Sequence, residues 1–461
     1  MAASNALNAP NQNAPSGARA SLVLAVATLA LAFALLTVPA ILHGGGVTSE
    51  QWDQDIAHWP TVEQFARQFP TPRIDDYPSA TGPGYHLLLA PLVAAGASLT
   101  TVRLASALFG LAFVLVAWKG AARWIGAWPA AALVAPLLCS SYLVAGSIWL
   151  TTDSLALTLA ATLLALAAFG VPRAGLFVQC ALLGMAALAV RQTMLWAAAP
   201  LLVAGILGSP LGNHAGPGEQ WAGDAPRRWW RLGMAALAVL AMLLTLGAFV
   251  STWGGLTPPQ YQERLSRTFA VAAPALGLGL VGLWGGMLLL PDLPRVLAQL
   301  WRARGVAAGV LALALVAALV PETSFDRDAG RWGGPIWQLV ARTPAPGERS
   351  LVLAGLACVG ALVLLALWQR AAERGRGRAA SVIVVALLAM MAVQIGNKEL
   401  YERYQDPVIL LALAWLAAMG CGRGEARTGR LALGALLLAA AQLAVTVANT
   451  LLPVFRGDLP A

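Results

Sequence analysis

Long apolar runs, each of roughly 16 to 23 residues, recur from one end of this chain to the other, and nothing else narrows its fold as much. A run of that length crosses the hydrocarbon of a bilayer as an α-helix, the form in which a segment satisfies all of its own backbone N–H and C=O groups. Of 461 residues, 59% are hydrophobic and only 11% charged, so most of the chain has no polar face to offer water. The runs fall at 21–42, 101–118, 128–147, 153–170, 174–190, 193–208, 231–252, 270–290, 304–320, 350–368, 379–396, 406–420 and 430–453. The expected fold is therefore all-α, a polytopic transmembrane helical bundle of about 13 spans. One further apolar stretch, Tyr85 to Ala97, is too short to cross, and counting it would place the loops beside it on inconsistent faces. It reads as an interfacial helix of the first outer loop.

Arginine sets the orientation. With the N-terminus inside, the basic loops at Arg227 to Arg231, Arg295 to Arg304, Arg370 to Arg378 and Arg423 to Arg430 all fall on the cytoplasmic side. The net charge of +9 is then an orientation signal and not a nucleic-acid footprint. Trp118, Trp149, Trp196, Trp229, Trp230, Trp253 and Trp301 stand at span ends, where an interfacial aromatic belt is expected. Residues 1–20, rich in Ala, Asn, Pro and Ser, read as a disordered cytoplasmic tail, residues 21–453 as the membrane domain, and 454–461 as an extracytoplasmic tail. The first run is longer than a signal-peptide core and lacks a cleavage site, so it is expected to be retained. Cys139, Cys180, Cys358 and Cys421 stand singly, with no spacing that suggests a disulfide or a structural metal. The cytoplasmic loops contain no phosphate-binding GxxxxGK[ST] loop, which argues against a nucleotide-driven pump.

Most of the 21 carboxylates gather on the other face, in loops 43–100, 253–269, 321–349 and 397–406. The first is the richest. From Trp52 to His86 it reads WDQDIAHWPTVEQFARQFPTPRIDDYPSATGPGYH, with two acidic clusters and two histidines in a polar insert between apolar segments. Asp53 lies five residues before His58 and Asp55 three before it, so on a helical segment one faces a site and the other solvent. Each also suits a helix cap. Asp76 and Tyr77 read either as acceptor ligands or as a solvated turn, and His58 and His86 either as donors to a phosphate or sugar or as structural groups. Arg103 and Arg191 stand at outer span ends, where an unpaired arginine is costly unless it snorkels to headgroups. Asp153 opens its own span and is a candidate partner for one of them, or an N-cap. Loop 321–349 carries Asp326, Arg327, Asp328 and Arg331 ahead of a short amphipathic piece, Ile336 to Val340. The last outer loop, NKELYERYQDP, carries Lys398 and Arg403. Glu263, Arg264 and Arg267 have the spacing of a solvated interfacial helix.

The segments DQDIAHWPTVEQFA, DDYPSATGPGYHLLLAPL and VRLASALFG together resemble the GT-C superfamily of membrane glycosyltransferases, which use polyprenyl-phosphate sugars. That family has an acidic residue in the first outer loop, a Pro-Gly or Pro-Pro step into an interfacial helix, and an Arg-x-x-Ser-Ala-Leu-like start to the next span, here Arg103, Ser106, Ala107 and Leu108. RQTMLW, with Arg191 and Gln192, is similar to a motif of the eukaryotic enzyme that adds the terminal α-1,2-glucose to the dolichol-linked oligosaccharide. The Arg-Tyr-x-x-Pro step at Arg403 resembles the family's late outer loop.

The resemblance implies transfer of a sugar from an undecaprenyl-phosphate-like donor to a hydroxyl of a glycan, lipid or protein. It places that reaction at the periplasmic face of a bacterial inner membrane. It gives Asp53 the role of general base, with Asp55 as its rival, since in the relatives the aspartate stands ahead of a His-x-Pro step, here His58 to Pro60. The chemistry agrees: a weak hydroxyl nucleophile needs a carboxylate to take its proton, and a departing phosphate needs cations. Arg103, Arg191, Arg331, Lys398 and Arg403 are the candidates for the latter. No metal ligand set is evident in any loop, and the family leaves a divalent cation open. A transporter or flippase of lipid-linked sugars is the alternative; it calls for broken helices, polar residues deep in the spans and an inverted repeat.

Overall fold

The computed structural model describes residues 16–46, 48–208, 225–262, 269–397 and 399–456. It is helical throughout, and the described residues contain no strand beyond one isolated antiparallel bridge between Asp326 and Arg331. Among the described residues seven helices are long and apolar enough to cross a membrane: Arg19–His43, Leu99–Ile125, Arg228–Trp253, Ala273–Arg302, Pro346–Glu373, Gly377–Gly396 and Ala426–Arg456. A further pair, Ala127–Leu138 and Ser141–Ile148, is long and apolar enough to cross when the two helices are taken together, and is bent by 72° at its break. The other expected runs form shorter apolar helices, Asp153–Phe169, Ala174–Val190, Gln192–Leu207, Arg304–Leu319 and Asp406–Met419. At about 1.5 Å per residue these fall short of a ~30 Å hydrocarbon core. Neighbouring protein compensates for some of them: every residue of Asp406–Met419 is buried.

The interfacial stretch forms Gly84–Ala94, with Tyr85, His86, Leu89 and Ala90 packed inward and Leu88 and Leu92 exposed. The first helix begins at Ser16, so residues 16–20 of the expected tail are helical; residues 1–15 and 457–461 lie outside the described residues. The aromatic belt needs correction as well. Trp229, Trp230 and Trp301 are exposed, but Trp118, Trp149, Trp196 and Trp253 are buried, because loops and neighbouring helices cover the span ends where they sit.

Where two helices must approach closely, glycine permits it. A Cβ on Gly282 would lie 2.0 Å from Leu356 O, and one on Gly360 would lie 2.0 Å from Leu278 O, so Ala273–Leu289 and Leu351–Glu373 meet backbone to backbone. Helix starts are capped from the chain itself: Ser98 accepts from Thr101 N and Ser350 from Leu353 N, each at 3.2 Å. At the break in the bent pair the freed carbonyl of Cys139 accepts from Thr446 Oγ1 at 2.5 Å, and Ser140 Oγ donates to the buried Asp406 at 2.7 Å. Trp284 Nε1 donates to the other Asp406 oxygen at 2.7 Å, so this carboxylate is fully engaged.

The acidic loops close on one another. Ala270 N donates to Ile395 O at 2.8 Å, Leu400 N to Gly330 O at 2.9 Å, and Trp253 Nε1 to Ile74 O at 2.8 Å. All four loops in which the carboxylates gather therefore lie at one end of the bundle.

Candidate functional site

The first loop enters with Thr48, whose hydroxyl caps the short helix Ser49–Asp53. That helix continues into a π-helical turn, Gln54–His58, and then into Trp59–Arg67. The wide turn matters because of spacing. In an α-helix Asp55, three residues back, would share a face with His58, and Asp53, five back, would point elsewhere. A turn closed by i→i+5 bonds brings residues five apart onto one face instead. Asp53 is accordingly the strongest electrostatic neighbour of His58, while Asp55 is exposed and accepts from Gln54 Nε2 at 2.8 Å.

Asp53 faces the loop 397–406. Its Oδ2 lies 2.8 Å from Arg403 Nη1, and Glu50 Oε1 lies 3.9 Å from the same nitrogen. The Arg403 guanidinium stands over Tyr401 and Tyr404, 5.1 Å from each ring centroid. Arg191 covers Tyr404 at 4.6 Å and forms an ion pair with Asp153. One tyrosine is thus shared by two arginines, and each arginine is held by a carboxylate on a different segment. Cation–π contact stabilises such an arrangement while leaving guanidinium edges able to bond. The group comprises Glu50, Asp53, Asp153, Arg191, Arg403, Tyr401 and Tyr404.

Beneath it lies a dry aromatic floor. His58 Nδ1 and His86 Nε2 are 3.0 Å apart and share one hydrogen bond; the rings stack with each other and meet Tyr85 edge-on. Burial lowers His58 to about 4, with Arg191 and Arg403 adding to the effect and Asp53 and Asp153 opposing it. Burial and His58 push His86 well below its ordinary range. Both rings are neutral at pH 7, so His58 can accept or relay a proton but supplies no standing charge for a phosphate.

The remaining candidates lie elsewhere. Arg103 is buried, donates from Nε to Gln54 Oε1 at 2.8 Å and lies 4.4 Å over Trp149; the same Gln54 oxygen takes Leu150 N at 3.1 Å. Arg103 therefore holds the π turn against the bundle. Tyr77 is fully buried, its hydroxyl donating to Thr81 O at 2.8 Å, and Asp76 accepts from Gln260 Nε2 at 3.0 Å. Gln192 Nε2 donates to Leu256 O at 3.0 Å. The Asp76 and Gln192 contacts tie the first loop and the Arg191 segment to the segment after Trp253, while the Tyr77 bond stays within the first loop. Gly82 completes the clamp, since a Cβ there would lie 2.2 Å from Ala189 O, two residues before Arg191.

Arg331 is not brought to Asp53. It is held by its own loop, with Ser324 O at 2.8 Å, Asp326 at 3.4 Å and Glu322 at 3.5 Å, because carboxylates five and nine residues back fold onto it. Lys398, with Glu263, Arg264 and Arg267, lies outside the described residues. Among the described residues no group of three or more His, Cys, Asp or Glu converges to hold a metal ion.

Two residues with no assignment from sequence stand close by. Glu50 joins the Arg403 group. Glu402 is buried, and its Oε1 accepts from Ile336 N at 2.7 Å and Trp337 N at 3.3 Å, so the helix Pro335–Ala341 docks on it. Burial, reinforced by Asp406, pushes Glu402 up to about 8. Its position directly before Arg403 was the only signal in the sequence.

No family model matches this sequence, and no curated protein matches it. Among solved structures the chain is similar to ArnT from Cupriavidus metallidurans. In the apo state of that protein the identity is 16% and the TM-score 0.38; bound to undecaprenyl phosphate the values are 16% and 0.37. Each comparison covers 94% of this chain and 80% of that one.

Proposed function

We propose that this chain is a membrane glycosyltransferase that moves a sugar from a polyprenyl-phosphate donor to an acceptor hydroxyl, with Asp53 as general base. The observation that carries the proposal is the 2.8 Å approach of Asp53 to Arg403, which unites the first and last outer loops beside Arg191. In the resting state the two arginines are balanced by carboxylates. A donor phosphate arriving between them takes over guanidinium bonds and leaves an Asp53 oxygen free for the acceptor. The acceptor O–H gives its proton to Asp53 as its oxygen bonds to the anomeric carbon. The bond from that carbon to the phosphate oxygen breaks in the same displacement, its electron pair leaving with the polyprenyl phosphate toward Arg403 and Arg191. Single displacement inverts the anomeric centre. Asp55, turned toward Gln54, is the weaker base candidate.

The test is transfer of radiolabelled sugar from a panel of polyprenyl-phosphate donors by the purified chain, comparing wild type, Asp53→Asn and Asp55→Asn. Full activity in both variants removes the catalytic assignment.

A second reading, movement of a lipid-linked sugar across the membrane, is favoured by one observation: the span broken at Cys139 and Ser140 and bent by 72°. Sealed proteoliposomes separate the two. Transfer without translocation of labelled donor supports the enzyme, and translocation without transfer supports the carrier.

A further inference from the structure

The end of the bundle away from Asp53 holds a second ion cluster that the proposed transfer does not use. Ala273–Leu289 starts beside the outer loops, where Ala270 N meets Ile395 O, and its far end leads into the turn Leu290–Asp292. The Asp292 side chain is wholly buried. Four guanidiniums from three segments surround it: Arg295 Nη1 at 3.0 Å and Arg430 Nε at 2.9 Å on Oδ1, Arg370 Nη2 at 2.9 Å and Arg427 Nε at 3.9 Å on Oδ2. One carboxylate cannot neutralise four arginines. Arg370 is 2% exposed; its Nε donates to Gln299 and its Nη2 is taken up by Asp292, but its Nη1 makes no hydrogen bond. A desolvated cation with unfilled donors among like charges is costly unless an anion joins it.

The surroundings say what kind of anion has access. The side chains of Arg427, Arg430 and Arg295 are 28%, 30% and 56% exposed, so an anion reaches the cluster from outside the bundle. Leu293–Arg302, which carries Arg295, turns Val296 and Leu300 inward and exposes Leu293, Leu297 and Trp301. Those three recur every four residues and form one apolar stripe. A helix with such a stripe and a terminal Trp lies at the membrane interface, with its arginines at headgroup depth.

We infer that Asp292 and the arginines 295, 370, 427 and 430 form a site for the phosphate of an anionic phospholipid headgroup on the arginine-rich face. Asp292 fixes the geometry of the guanidiniums, and their remaining donors bond the phosphate oxygens.

The test is native mass spectrometry of the purified full-length chain titrated with phosphatidylglycerol or with phosphatidylcholine of the same acyl chains. The wild type is expected to retain phosphatidylglycerol roughly tenfold more tightly than phosphatidylcholine. Arg427→Gln with Arg430→Gln should abolish that preference, and Arg295→Gln, at the most exposed of the four, should reduce it severalfold without threatening the fold. Equal retention of both lipids by the wild type overturns the proposal, as does an unchanged preference in Arg295→Gln and in the double variant. Inorganic phosphate is the second arm. If it alone raises the Tm of the wild type but not of the variants, and no lipid preference is seen, the ligand is free phosphate and the headgroup assignment fails.

Discussion

The two ends of the bundle solve opposite electrostatic problems with the same residue types. At the acidic-loop end Glu50, Asp53 and Asp153 face Arg191 and Arg403, so carboxylates outnumber guanidiniums and each arginine is also held over tyrosine. At the other end a single carboxylate serves four arginines. The Asp53 group is built from loops far apart in sequence, and its ion pairs are partly exposed. The Asp292 group joins helix ends around a carboxylate without solvent contact. Pairs of the first kind can change partners when a charged ligand arrives, whereas the second kind holds helices in place and still carries surplus charge.

The comparison breaks most visibly at Asp53. Asp53→Asn is expected to lower sugar transfer by about 10²- to 10⁴-fold while leaving thermal stability nearly unchanged, which paired transfer and melting measurements read together. Asp292→Asn should do the reverse: about 3–5 kcal/mol of stability is expected to be lost, because the buried Arg370 guanidinium then lacks its counter-ion. An Asp292 variant as stable as wild type in denaturation would remove the distinction between the two clusters. Arg403→Gln should reduce transfer by about a hundredfold, and Arg403→Lys should recover only part, since a point charge cannot replace a planar fork over Tyr401 and Tyr404.

A smaller effect separates Glu402 from its charged neighbours. Its carboxyl titrates at about 8 in the fold against an ordinary 4.5, so the native state holds a proton that the unfolded chain has lost between those values. Its contribution is complete below about 4.5 and disappears as pH rises through about 8. His58 has the opposite slope: its ordinary 6.5 falls to about 4, so its contribution is complete above 6.5 and declines as pH falls toward 4. Between pH 6.5 and 8 only the Glu402 slope remains of these two. Glu402→Gln should flatten the Tm profile there and be near neutral at pH 7, while Glu402→Ala costs about 1–3 kcal/mol by stranding Ile336 N and Trp337 N. The smallest effect is expected for Asp55→Asn, less than about threefold on transfer, as its carboxylate faces Gln54 and solvent.

The spans were legible because their signal is local. Apolar length and arginine placement are properties of a window, and each expected run has its helix. The burial of Trp149 and Trp196 was not, since it depends on what folds over a span end. Within the site, the pairing of Arg191 with Asp153 was open to view as two charges at outer span ends. The approach of Arg403 to Asp53 rests on a chain separation that no local pattern encodes. Arg331 shows the converse: its own loop carried the carboxylates that neutralise it, and those neighbours were in plain sight. The resemblance marked Asp53 by its place before His58, but not the turn that orients it.

That π turn is in effect an inserted residue. A regular helix running from Ser49 to Arg67 would rotate Asp53 about 140° away from His58, because each residue advances the helix by about 100°. Gln54–His58 absorbs the difference in one wide turn, with Gln54 fastened to Arg103 and Leu150. The distance between the proposed base and the histidine floor is therefore counted in residues as well as in ångströms. Deleting Ile56 or Ala57 would restore an ordinary helix with Asp53 four residues before His58, about 40° from its face, so their register would survive; narrowing the turn at unchanged length would instead carry Asp53 about 140° out of phase, even though every side chain of the site was still present.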